Sequence, residues 1–175
     1  MTADIELLWE KSEVRLEGDS NCVSGLESLA DLKGRYVYAI ETPREMAIRY
    51  ESGISNVCYI GRQGDRSRGN RLLAHGKSWI TRTLVLSRPA SPFILHFCHP
   101  RRRNMANAYK DIEACLIREF ATVFGSKPLF NKKYEREHAS HGIVMNSTIL
   151  RRRSHATAWS IDAQKPISPE LEVED

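Results

Sequence analysis

Cysteine is scarce and scattered in this chain. The four present, Cys22, Cys58, Cys98 and Cys115, lie 36, 40 and 17 residues apart, with no CxxC pair among them. That spacing supplies neither a disulfide framework nor a zinc signature, and it suits free thiols in a reducing cytosol. Long apolar runs are missing too. The apolar runs present, such as 92–95 and 116–117, fall far short of the roughly 20 residues a membrane span needs. The first 30 residues lack the basic-then-apolar order of a secretory leader. A cytoplasmic protein with no membrane partner is therefore expected, nucleoid-associated if bacterial. Wholesale disorder is excluded as well, because 41% of the 175 residues are hydrophobic, enough for one packed domain with appendages.

Acidic side chains are few in the middle of the sequence. Residues 1–33 carry a net charge of −5, residues 34–133 a net of +11, and residues 134–175 a net of −2. Of the 18 cations in the central block, 13 are arginine, the side chain suited to bidentate contact with phosphate. A charge of that size over a hundred residues repels itself unless a polyanion is the partner, and nucleic acid is the polyanion expected. Arg62, Arg66 and Arg68, the triplet Arg101, Arg102 and Arg103, and Lys132 and Lys133 are the candidate nucleic-acid contacts. A second triplet occupies 151–153.

Hydrophobic patterning predicts an α+β protein, a small mostly antiparallel β-sheet flanked by helices. Residues 3–17 have apolar positions among acids and are expected to be helical, as is 26–32, so that 1–33 forms an acidic helical N-terminal extension. The β-branched and aromatic runs 36–40 and 56–61 predict strands, able to pair as neighbours. The arginine-rich stretch 61–69 predicts a loop, followed by a helix from Asn70 to Gly76. Strands are expected at 80–87 and 93–98. Residues 104–124 predict the longest helix. Asn104 is its expected cap, Ile112, Leu116, Phe120 and Val123 its apolar stripe, and Gly125 its C-terminal stop. Residues 134–175 are expected to form an extension with a basic patch and an acidic, disordered tail.

Several polar residues fall where this pattern would gather them. Tyr36 and Tyr59 lie in the two early strands. Arg71 and His75, four apart, share a helix face. Glu113 follows Ile112 at the edge of the apolar stripe, where a carboxylate is costly unless a cation or a metal accompanies it. Periodicity leaves those two partners equally open.

The series Gly34-Arg35-Tyr36, Tyr59-Ile60-Gly61, Arg71-x-x-x-His75, Glu113-x-x-Leu116-Ile117 and Pro128-Leu129-Phe130-Asn131 resembles the GIY-YIG nuclease superfamily. The resemblance covers residues 34–133, the same span as the basic block. Arg35 stands where that family usually has isoleucine. Its first tyrosine aligns with Tyr36 by virtue of Gly34, although Tyr38 offers an alternative alignment. The resemblance implies a Mg2+-dependent (or Mn2+-dependent) endonuclease acting on DNA, with one ion per active site held by Glu113. In that scheme Arg71 stabilises charge on the phosphate, and Tyr59 acts as general base or orients the attacking water. Tyr36 hydrogen-bonds the nucleophile or a phosphate oxygen, His75 contacts phosphate or water, and Asn131 fixes local backbone or a phosphate. A free phenol ionises near pH 10, so a basic Tyr59 would need cations beside it.

A sequence-specific restriction enzyme, acting as a homodimer on a palindromic site, is the role expected within this reading. The alternatives are a structure-specific repair nuclease and a nucleic-acid-binding module on the same fold that does not cut. RNA remains open as a substrate.

Overall fold

The computed structural model describes residues 9–14, 34–64, 71–75, 92–100, 107–136, 150 and 159–162. In chain order they form β1 (Glu10–Val14), β2 (Tyr36–Glu41), β3 (Met46–Tyr50), β4 (Gly53–Ser55), β5 (Val57–Gln63), α1 (Arg71–His75), β6 (Phe93–Cys98), α2 (Ala108–Phe124) and β7 (Trp159–Asp162). Strands and helices combine as an α+β arrangement, and no helix among the described residues is long and apolar enough to cross a membrane.

Among the described residues two sheets are present rather than the single one expected. The larger runs β1-β6-β2-β5, antiparallel throughout. Its central strand β2 is buried from Tyr36 to Ile40 without alternation, the signature of a strand covered on both faces. The smaller sheet, β4-β3-β7, joins an antiparallel pair to a parallel one, β3 with β7. The segment between the two early strands is thus the β3–β4 hairpin, closed by Glu51 and Ser52. Buried polar groups tie it back. The Asn56 amide donates to the Pro43 carbonyl at 2.9 Å and to the Met46 carbonyl at 3.2 Å, and the Thr42 hydroxyl donates to Met46 at 2.5 Å.

Three expectations need correction. Residues 10–14 are a strand, not helix. A segment with one apolar side chain in five gains little from helix formation, whereas the edge of β6 satisfies its backbone groups. The loop expected from Gly61 begins later, because β5 continues through Gln63 while β2 remains alongside it as far as Tyr36. Helix α2 starts at Ala108, and its flanking residue Asn107 makes no side-chain cap bond. The proposed cap Asn104, the 26–32 helix, the 80–87 strand and the tail beyond 162 lie outside the described residues.

The C-terminal end of α2 agrees with expectation. Gly125 adopts φ of 85° and its N–H donates to the Ala121 carbonyl at 2.8 Å. A Cβ at this position would also lie 2.6 Å from Glu51 Cβ, because the hairpin tip docks there and the Ser52 N–H donates to the Phe124 carbonyl at 2.9 Å. Ile112, Leu116, Ile117, Phe120 and Phe124 of α2 are fully buried. Phe120 meets the Tyr50 ring edge-on at 5.0 Å. Helix α2 packs against β5 and β2, which brings its polar positions to the same end of the sheet as the early tyrosines.

Candidate active site

Strand register sets the site. Tyr38 lies opposite Gly61, Tyr36 opposite Gln63 and Ile40 opposite Tyr59, so these six residues share one face of the β2–β5 pair. The Tyr38 and Tyr59 rings lie 6.0 Å apart at 35°. Both close over Gly61, where a Cβ would stand 2.6 Å from Tyr59 Cε1 and 2.9 Å from the Tyr38 hydroxyl. Glycine is required there by close approach, not by backbone conformation. Tyr36 is fully buried one step along the strand, 6.0 Å from the Tyr38 ring and 5.6 Å from His99. Of the two candidate tyrosines, Tyr38 is the one paired with Tyr59.

Asn131 fixes the backbone between Tyr59 and Gly61. Its Oδ1 accepts from the Ile60 N–H at 2.9 Å, and its Nδ2 donates to the Ile60 carbonyl at 2.8 Å. The neighbouring Phe130 N–H donates to the Cys58 carbonyl at 2.9 Å. The 128–131 turn therefore satisfies the edge of β5 as another strand would. Asn131 is buried, and its amide is committed to protein backbone.

Gln63 joins β5 to α1. Its Oε1 accepts the Arg71 backbone N–H at 3.0 Å and its Nε2 donates to the Gly64 carbonyl at 3.2 Å. This anchors an exposed Arg71 beside the tyrosines while Leu72, next along, enters the core. His75 ends α1, four residues on, and its side chain lies outside the described residues.

Glu113 comes from α2 and is almost fully buried. Burial pushes its carboxyl up to about 7, against the pull of Arg62; Glu135 pushes it the same way as burial, and Arg71 and Lys133 oppose. Arg62 Nη1 donates to Glu113 Oε2, and Arg62 Nη2 lies 3.7 Å from Glu135 Oε2. The salt bridge and the electrostatic links to Arg71 thus put Glu113 among cations. The phenols feel the same charges. Burial raises Tyr59 above its ordinary range, Arg71 lowers it and Glu113 raises it. Tyr38 is raised mainly by burial and then by Tyr59, with Arg71 opposing. Arg71 acts in the direction a basic Tyr59 requires, yet burial outweighs it.

Five of the six candidate catalytic side chains are described. Tyr59, Arg71, Glu113 and Asn131 come together, and Tyr36 stands behind Tyr38. Arg62, expected on nucleic acid, instead pairs with Glu113. Lys132 and Lys133 are exposed, with Lys133 Nζ 3.9 Å from Glu135 Oε1. Arg66, Arg68, Arg101, Arg102 and Arg103 lie outside the described residues. Sequence reasoning overlooked Gln63 and Glu135. Gln63 had a detectable signal, since it continues the alternation of Tyr59 and Gly61. Glu135 had none.

As to a metal, the described residues contain no group of three or more His, Cys, Asp and Glu able to hold an ion. The donor present is one dehydrated carboxylate whose charged form needs a cation. That fits magnesium, which binds through one or two carboxylates and keeps waters and phosphate oxygens as its other ligands. The chain matches no family model, no curated protein and no solved structure.

Proposed function

We propose that this chain is a GIY-YIG-type endonuclease that hydrolyses phosphodiester bonds in DNA. One observation carries the reading: strand register sets Tyr38 and Tyr59 over Gly61 of the Tyr59-Ile60-Gly61 motif, Gln63 anchors the Arg71 backbone beside them, and the buried carboxylate of Glu113 comes from α2 packed on the same two strands. The motif order in the sequence and the +11 charge of residues 34–133 add to it.

Glu113 would hold the divalent ion, magnesium or manganese. When bound, that ion supplies Lewis acidity at the scissile phosphate and assistance to the leaving oxygen. Arg71, exposed and anchored through its backbone to Gln63, would stabilise the negative charge that builds on phosphate oxygens. Tyr59 is a neutral phenol at neutral pH, so it orients the attacking water by hydrogen bonding. Tyr38, hemmed in by Tyr59 and Gly61, takes the supporting role for which Tyr36 was the first candidate. Asn131 holds the backbone under Tyr59, and His75 and the remaining basic side chains contact phosphate. Restriction of foreign DNA by a dimer suits a compact domain of this kind.

A second reading, a nucleic-acid-binding domain that does not cut, draws on the Arg62–Glu113 ion pair, which already neutralises the carboxylate. Incubating mixed plasmid and phage DNA with Mg2+ separates the two. Metal-dependent products from wild type, absent with Glu113→Ala or a chelator, are expected. Intact duplex, branched DNA and RNA in every lane would leave the binding domain as the answer.

A further inference from the structure

Arg62 lies between two carboxylates. One guanidinium nitrogen donates to Glu113 Oε2 and another lies 3.7 Å from Glu135 Oε2. The members of this triad differ in freedom. The Glu113 side chain is 4% exposed, whereas those of Arg62 and Glu135 are 20% and 23% exposed. Glu113 also sits in the second turn of α2, inside the helix, and Asn131 clamps the β5 backbone at Ile60, two residues before Arg62. If the pair opens, the arginine side chain must swing outward, because the carboxylate has nowhere to go. Glu135 keeps a cation when that happens, since Lys133 lies 3.9 Å from its other oxygen.

A guanidinium on Oε2 and a divalent ion on the same carboxylate compete for one negative charge. A guanidinium also fits a phosphate diester as well as it fits a carboxylate. Resting on the nuclease reading, we infer that Arg62 is an exchangeable counter-ion. It neutralises Glu113 in the free protein and moves to a backbone phosphate of bound nucleic acid, which releases the carboxylate for the metal. Arg62 is then a positioning residue that makes ion binding conditional on the polyanion. By linkage the ion must in turn strengthen nucleic-acid binding by the same factor.

Mn2+ binding to the full chain, followed by electron paramagnetic resonance without nucleic acid, tests this. Arg62→Gln is expected to bind Mn2+ about tenfold more tightly than wild type, the direction expected when a competing cation is removed. The gain should vanish in Arg62→Gln/Glu113→Gln. A damaged fold does not tighten metal binding, so the sign separates this role from a structural one. Equal or weaker binding by folded Arg62→Gln overturns the inference. Should that variant not fold, Arg62→Lys, which keeps the charge but loses the bridging fork, is expected to show a smaller gain, and no gain overturns it equally. A gain that persists in the double variant overturns both the inference and Glu113 as the metal-holding group. Loss of cleavage in Glu113→Ala with no Mn2+ gain in Arg62→Gln would sink the inference alone. In chelator, Glu113→Gln should bind a short random-sequence duplex several-fold more tightly. That increment should disappear when Arg62 is also replaced; an increment independent of Arg62 contradicts the exchange.

Discussion

Tyr38 and Gly61 face each other across β2 and β5, and the phenol lies so close over the glycine that a Cβ there would sit 2.9 Å from its hydroxyl oxygen. With Tyr59 Cε1 at 2.6 Å from the same point, the two rings leave no room for a methyl group. Gly61→Ala must push one ring aside within a full core, and overpacking of that kind costs about 1–3 kcal/mol. Urea unfolding should show that loss, and near-ultraviolet circular dichroism should report displaced tyrosines. Wild-type stability in the variant would mean that the rings are not held over the glycine.

The Asn131 amide satisfies both backbone groups of Ile60, 71 residues away in sequence. Asn131→Ala leaves an N–H and a carbonyl buried without partners, at about 1–3 kcal/mol for each. Asn131→Asp retains the acceptor for the N–H but sets a buried carboxylate oxygen against the Ile60 carbonyl, and should be at least as harmful as alanine at neutral pH. Hydrogen exchange at the Ile60 amide gives the direct reading: it should be slow in wild type and strongly accelerated in the alanine variant. Unchanged protection in Asn131→Ala would show that the β5 edge is covered by other means.

How much of this was legible in sequence follows from range. β2 and β5 were readable because their β-branched and aromatic runs are continuous, and α2 because Ile112, Leu116 and Phe120 repeat at helical spacing and Gly125 stops them. β4 was not, since three residues cannot establish a period, and β1 was misread because its strand character comes from the neighbouring β6 rather than from its own side chains. The same distinction governs the site. Glu113 declared itself as a carboxylate beside an apolar stripe, but its partner Arg62 is 51 residues away, and local periodicity carries no information about such a pair. The choice between Tyr36 and Tyr38 needed the register, because both lie on one face of the strand and only one stands opposite Gly61.

That register makes the two tyrosines separable by experiment. On the nuclease reading, Tyr38→Phe removes a hydroxyl lying against Tyr59, whereas Tyr36→Phe alters a group one step behind it, near His99. Cleavage rate should fall about 100-fold in Tyr38→Phe, the lower end of what a single positioned acid–base or hydrogen-bonding group supplies, and by less in Tyr36→Phe. Single-turnover rates at saturating enzyme would make the comparison. A larger defect in Tyr36→Phe would return the first alignment, with Gly34 two residues before the functional tyrosine.

Glu113 makes stability depend on pH in a direction opposite to an ordinary salt-bridged carboxylate. Its folded carboxyl is pushed up to about 7 from a reference value of 4.5, chiefly by burial. Between those values the native state binds more protons at this site than the unfolded chain, so stability falls as pH rises. Below 4.5 the group is neutral in both states and nothing is lost; above 7 it is ionised in both and the full penalty, about 3 kcal/mol, is present. Glu113→Gln has nearly the same shape and does not titrate. In metal-free buffer the melting temperature of the glutamine variant should therefore gain on wild type by a few degrees between pH 4.5 and 7, and the gap should be constant above that. Using the difference between the two proteins cancels every other titrating group they share. A gap that narrows with rising pH would mean that Arg62 outweighs burial and that the carboxylate is already ionised well below neutrality.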